Sequence, residues 1–99
     1  MIRHAVLFKW KAGTTLEQVQ ALAAGLARLP AEISEIAAYG FGSDLGLAEG
    51  NADFAIVADF ASVEDWRSYV QHPAHVRLIE EYILPIRESR VVLQYEFEE

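Results

Sequence analysis

The sequence predicts an α+β fold in the order βαββαβ, a four-stranded antiparallel sheet with its helices on one face. Three observations carry this. Short segments near both ends and in the middle alternate with a period of two residues, as strands do. Two intervening stretches repeat their apolar residues with helical spacing. Finally, the order of these segments is that of a split β-α-β arrangement, and in such a sheet the helices can cover only one side.

The first strand is predicted over Ile2 to Lys11. Ile2, His4, Val6, Phe8 and Trp10 share one face, and Arg3, Ala5, Leu7, Lys9 and Lys11 share the other. Ala12-Gly13 ends it, and Thr14 with Glu17 has the spacing of a capping box. Leu16, Val19, Leu22, Ala23, Leu26 and Leu29 then recur at helical spacing, with Pro30 expected to stop the helix.

A second strand is read over Ile36 to Asp44, where Ala37, Tyr39 and Phe41 share a face. Gly40 and Gly42 leave its other face nearly bare, which fits either a bend or room for a ligand or a partner's side chain. Leu45 to Ala52 is a loop and Asp53 to Phe60 a third strand, with Phe54, Ile56, Ala58 and Phe60 on one side. Ser62 caps the next helix, whose stripe is Val63, Trp66, Tyr69 and Val70. Pro73 disfavours helical geometry at the residue before it but suits the first position of a new helix. One helix therefore ends near Gln71, His72 becomes an N-cap, and a new helix runs from Pro73 to about Leu84. Arg90 to Phe97 is the last strand, with Val91, Leu93, Tyr95 and Phe97 on one face.

These elements amount to a ferredoxin-like protomer within a single domain, residues 1–99. Strands one and three are apolar on both faces, and no element is left to cover the second. Burying a large apolar side chain is worth about 1.5–3 kcal/mol. A second copy of the chain, in an isologous homodimer, is the expected cover. A charge replacing a sheet-face aromatic such as Phe54 is expected to dissociate or unfold that assembly.

Composition narrows the function. Net charge is −7 and the eight Lys and Arg are scattered singly, so no nucleic-acid partner is expected. No apolar run is long enough to span a bilayer and none resembles a signal peptide, so the expectation is no membrane partner and a cytoplasmic location. The absence of cysteine excludes thiolate catalysis and disulfides.

The chemistry-bearing stretch is Tyr69-Val70-Gln71-His72-Pro73-Ala74-His75. His75 leads the stripe Leu78, Ile79, Tyr82, Ile83 and Ile86, which places an imidazole among carbons. A histidine so placed is commonly a hydrogen-bonded core residue. Tyr69, one helical turn before His72, and His4 on the first strand give it company. His72 and His75 have a spacing that metal ligands use, but nothing fixes a third ligand among His4, Asp53 and Glu80, and no metal is expected.

The chain resembles the stress-responsive dimeric α/β-barrel, or Dabb, domains. The resemblance rests on Ile2-Arg3-His4-Ala5-Val6-Leu7-Phe8-Lys9, on Glu49-Gly50 with Asp53-Phe54-Ala55, and above all on Tyr69 to His75. It implies a ferredoxin-like protomer whose sheet pairs with a partner's to form a dimeric barrel. The family includes plant polyketide cyclases in which a tyrosine and the second histidine of the His-Pro-x-His motif are catalytic. Those positions are Tyr69 and His75 here, and His4 and His72 match histidines of the same group. His4, His72, Trp66 and Phe8 are the candidate substrate contacts.

The chemistry so implied is an aldol closure. A neutral imidazole is well tuned to remove a proton between two carbonyls, and a phenol can donate to the developing oxyanion. No cofactor is needed, and the ligand would be a small apolar carbonyl-containing or aromatic molecule. Two further readings remain. One is a cofactor-free monooxygenase-like enzyme of related barrels, its pocket lined by aromatics such as Trp10 and Trp66. The other is a non-catalytic small-molecule-binding or stress-associated dimeric protein.

Overall fold

A computed structural model describes residues 1–98. The order is β1 (Ile2–Trp10), α1 (Leu16–Glu32), β2 (Ala38–Ser43), β3 (Phe54–Phe60), α2 (Val63–Gln71), α3 (Pro73–Leu78), a π-helical turn (Ile79–Ile83) and β4 (Arg87–Glu96). The strands form one antiparallel sheet in the order β2-β3-β1-β4. This is the ferredoxin-like βαββαβ fold.

The register puts His4 opposite Ala58 and Gln94, Val6 opposite Ile56 and Val92, and Phe8 opposite Phe54 and Arg90. Because side chains alternate along a strand, these rows share one face, and it is the face the helices cover. Leu22, Leu26 and Leu29 of α1 close the core against Phe54, Ile56, Ala58 and Phe60. Gly25 lets α1 approach α3 closely: an added Cβ would meet Leu78 Cδ1 at 3.2 Å. Phe54 is a core residue, only 3% exposed, so it reports on the protomer's interior and not on a dimer face.

The opposite face carries Leu7 (44% exposed), Val91 (69%), Leu93 (58%) and Tyr95 (44%). The Arg3 guanidinium grips Asp59 there through two bonds of 2.8 and 2.9 Å. Gly40 and Gly42 pair with Val57 and Ala55 on this side, and an added Cβ would meet nothing within 4 Å.

Several boundaries differ from the sequence-based expectation. The α1 cap is Thr15, whose hydroxyl accepts from the Gln18 N–H at 3.2 Å while Gln18 reaches back to the Thr15 N–H at 2.9 Å. Thr14 instead donates to the Lys11 carbonyl. Pro30 does not stop α1, which runs on to Glu32. A proline in the last turn removes one N–H where the helix is already ending, and the Ile33 N–H still reaches Leu29 O at 2.8 Å.

The β1–β4 ladder breaks register between Lys9 and Trp10. Lys9 faces Ser89, but Trp10 faces Arg87, so Glu88 is the extra residue of a β-bulge. The last strand therefore begins at Arg87, three residues before the expected Arg90. The π-helical turn follows α3 and closes with the Leu84 N–H on Ile79 O at 2.9 Å.

Candidate functional site

The helices pack over β1, β2 and β3 and leave the inner face of β4 largely uncovered. Between that strip, β1, α2, α3 and the π-helical turn lies a cavity of about 310 Å³. Its apolar wall includes Val6, Phe8, Ile56, Ile79 and Ile83. Its polar groups are His4, Trp66, Tyr69, His75, Arg87, Arg90 and Gln94.

Each side chain is held for an identifiable reason. The short helix α3 places His75 in its first turn, where the ring Nδ1 lies 3.2 Å from the Val70 carbonyl. A carbonyl only accepts, so Nδ1–H donates, and the neutral ring keeps its lone pair on Nε2. Burial lowers the His75 pKa and outweighs the opposing pull of the Val70 bond, and the charges of His72 and Arg90 add smaller pushes downward. The ring is thus a neutral base at pH 7.

His4 has the opposite arrangement. Trp66 Nε1–H, which only donates, points at His4 Nδ1 from 3.3 Å, and the Gln94 amide nitrogen donates to the same atom at 2.9 Å. The His4 proton therefore sits on Nε2. Burial first, then the charges of His75 and Arg90, push the His4 pKa down to about 4.

Tyr69 stands beside His75, ring centroids 4.2 Å apart, and is 2% exposed. Its hydroxyl lies 3.0 Å from that of Tyr39 on β2. Burial, followed by Tyr39, raises the Tyr69 pKa far above the ordinary phenol value; burial also raises Tyr39 to about 12. Both hydroxyls stay protonated. Two hydroxyls share one bond, so one O–H of the pair remains free to donate.

His4, Phe8, Trp66, Tyr69 and His75 therefore converge on one cavity. His72 does not. Its Nδ1 accepts from the Ala74 N–H at 3.1 Å, capping α3, and it is absent from the cavity wall. Its expected role as a substrate contact gives way to the N-cap role that Pro73 dictates. Trp10 is also outside the wall and stacks on Phe8 with centroids 5.2 Å apart. The residues not anticipated are Tyr39, Arg87, Arg90 and Gln94. Alternation carried from Val91 and Leu93 to the other face of the strand finds Arg90, Val92 and Gln94; Arg87 is hidden by the bulge. Among the described residues, no group of three or more His, Cys, Asp or Glu side chains is placed to hold a metal ion. No helix there is long and apolar enough to cross a membrane.

The Dabb domain, described as a stress responsive A/B barrel domain, matches residues 2–97. This chain belongs to that family. No curated protein matches it. Among solved structures, a dimeric ferredoxin-like protein of unknown function from Thermobifida fusca is 43% identical over 97% of this Dabb chain and 90% of its own, with a TM-score of 0.90. A dimeric protein of unknown function from Bacteroides fragilis is 28% identical over 97% and 95%, with a TM-score of 0.83. The hydroxynitrile lyase of Passiflora edulis is 25% identical over 99% and 88%, with a TM-score of 0.85. The solved structures similar to this chain thus include both proteins of unknown function and an enzyme.

Proposed function

We propose that the cavity performs general acid–base chemistry on a small carbonyl-containing molecule, in the manner of a polyketide cyclase-like aldol reaction. His75 Nε2 takes the proton from carbon or from a hydroxyl, and the Tyr69–Tyr39 hydroxyl pair donates to the oxygen that gains charge. His4, with its proton on Nε2, orients the substrate oxygen. The observation that carries this reading is the Val70 carbonyl on His75 Nδ1. It fixes the tautomer whose free lone pair belongs to a half-buried ring beside Tyr69.

The similarity to a hydroxynitrile lyase supports the same class of chemistry. Cleaving a hydroxynitrile and making or breaking an aldol both need a base and a proton donor flanking an oxygen-bearing carbon, and neither needs a redox step. The dimeric relatives and the uncovered apolar sheet face together support a homodimer, each copy covering the other's outer face.

The test is turnover of poly-β-keto substrates and of aromatic hydroxynitriles by the wild type, His75→Ala and Tyr69→Phe, each first shown to be folded. Losing the base should lower the rate about 10²–10⁴-fold. If His75→Ala matches the wild type, the mechanism fails. If the wild type binds these compounds and converts none, the cavity is a binding site and not a catalytic one.

A further inference from the structure

The chain has fifteen acidic residues against eight basic ones. Its cavity reverses that balance: Arg87 and Arg90 line the wall, and no Asp or Glu does. Among the described residues neither arginine has a carboxylate partner, and the one Lys or Arg ion pair is Arg3–Asp59, on the other side of the sheet. Two unpaired guanidinium groups in one wall of an acidic protein need an explanation.

The β-bulge sharpens the point. Arg87 and Arg90 are three residues apart, so on a regular strand they would face opposite sides. Strict alternation from Arg90 would turn Glu88 inward and Arg87 outward. The bulge leaves Glu88 out of the ladder and sets Arg87 opposite Trp10, on the inner face. It thereby exchanges an acid for a cation at the cavity wall.

We propose that Arg87 and Arg90 bind the carboxylate of a small keto or hydroxy acid, holding it against β4 while its carbonyl or hydroxyl end reaches His75. The inference rests on the acid–base reading above and names its substrate class. The planar guanidinium fork matches a carboxylate with two parallel bonds. The apolar remainder of the wall suits an anion with an organic body. A cavity of about 310 Å³ sits at the small end of ligand sites. Arg90 is also close enough to both rings for its charge to disfavour protonated His4 and His75.

The experiment is calorimetric titration, at low salt, with benzoylacetate and its methyl ester, which differ in the carboxylate charge. The acid should bind about ten- to a hundredfold more tightly, the range of a charge-assisted hydrogen-bonded contact. Arg87→Gln and Arg90→Gln should each remove most of that preference, and Arg90→Lys should retain part of it. Arg90 is exposed and Arg87 half-buried, and neither belongs to the buried core, so these changes leave it intact. His75→Gln should keep the preference even where turnover is lost, so failure of the acid–base reading is distinguishable from failure of this one. Equal affinity for acid and ester, binding of neither, or displacement of benzoylacetate by equimolar inorganic phosphate would each overturn the carboxylate assignment.

Discussion

The two faces of the sheet are built from the same strands and have opposite fates. On β1, His4, Val6 and Phe8 are all less than a tenth exposed, while Leu7 between them is 44% exposed. On β4 the outward Val91 and Leu93 are the more exposed, at 69% and 58%. The inner face solves its burial within the protomer and keeps one gap, the cavity. The outer face is equally apolar in character but has no cover of its own, apart from the Arg3–Asp59 pair that bridges the central strands β1 and β3. One face therefore encodes the fold and the candidate chemistry, and the other is the face proposed for assembly.

Substitutions on the two faces should separate these roles. Phe54→Ala on the inner face should cost about 3–5 kcal/mol of stability, read as a lower urea midpoint. Leu93→Asp on the outer face should leave far-ultraviolet dichroism of the protomer intact and weaken dimerisation roughly a hundredfold, since each copy would bury an unpaired charge. Sedimentation across a concentration series reads that shift. If Leu93→Asp unfolds the chain and Phe54→Ala merely dissociates it, the assignment of faces is reversed.

Acid should act on the inner face. His4 titrates near 6.5 when unfolded and at about 4 when folded. Its neutral ring thus contributes full stability above about pH 6.5, and that contribution is lost progressively as the pH falls to about 4. After allowing for solvent in the cavity, the loss is on the order of 2 kcal/mol. Urea unfolding at pH 7 and pH 4.5 should show it, and the difference should shrink in His4→Gln. His75 shifts in the same direction, so an activity that depends on it as a base should hold at pH 7 and fall on the acid side of the ordinary histidine range.

The smallest effect belongs to the histidine outside the cavity. His72→Ala should cost about 1 kcal/mol, the loss of one N-cap, and leave any turnover unchanged. A large loss of activity without a loss of stability would return His72 to the site.

Much of this was readable from periodicity. The alternation of Ile2 to Trp10 gives both faces of β1 correctly, because a period of two is rigid. Pro73 gives the break between the helices and the capping role of His72, whereas the motif resemblance alone assigned that residue to substrate. Two adjacent threonines are each followed, three positions on, by a side chain able to complete a capping box, so spacing alone does not choose Thr15 over Thr14 as the α1 cap. The start of β4 was hidden because Arg87-Glu88-Ser89 has no apolar residue to set a phase, and a bulge breaks the phase that Arg90 onward establishes. Alternation gives the face of Tyr39, but its bond to Tyr69 depends on how β2 and α2 meet, which no local pattern specifies.

The bulge also bears on how relatives of this protein should be compared. Position along a strand is ordinarily a safe guide to which residues correspond, and a gapless alignment assumes it. Counted back from Arg90, the inward place belongs to Glu88; in space it belongs to Arg87. A relative with an unbroken strand and the same letters would present one positive and one negative charge where this chain presents two positive ones. Against such a relative, equivalence at this end of β4 is a matter of superposition, and a gapless column-by-column comparison would pair the wrong residues.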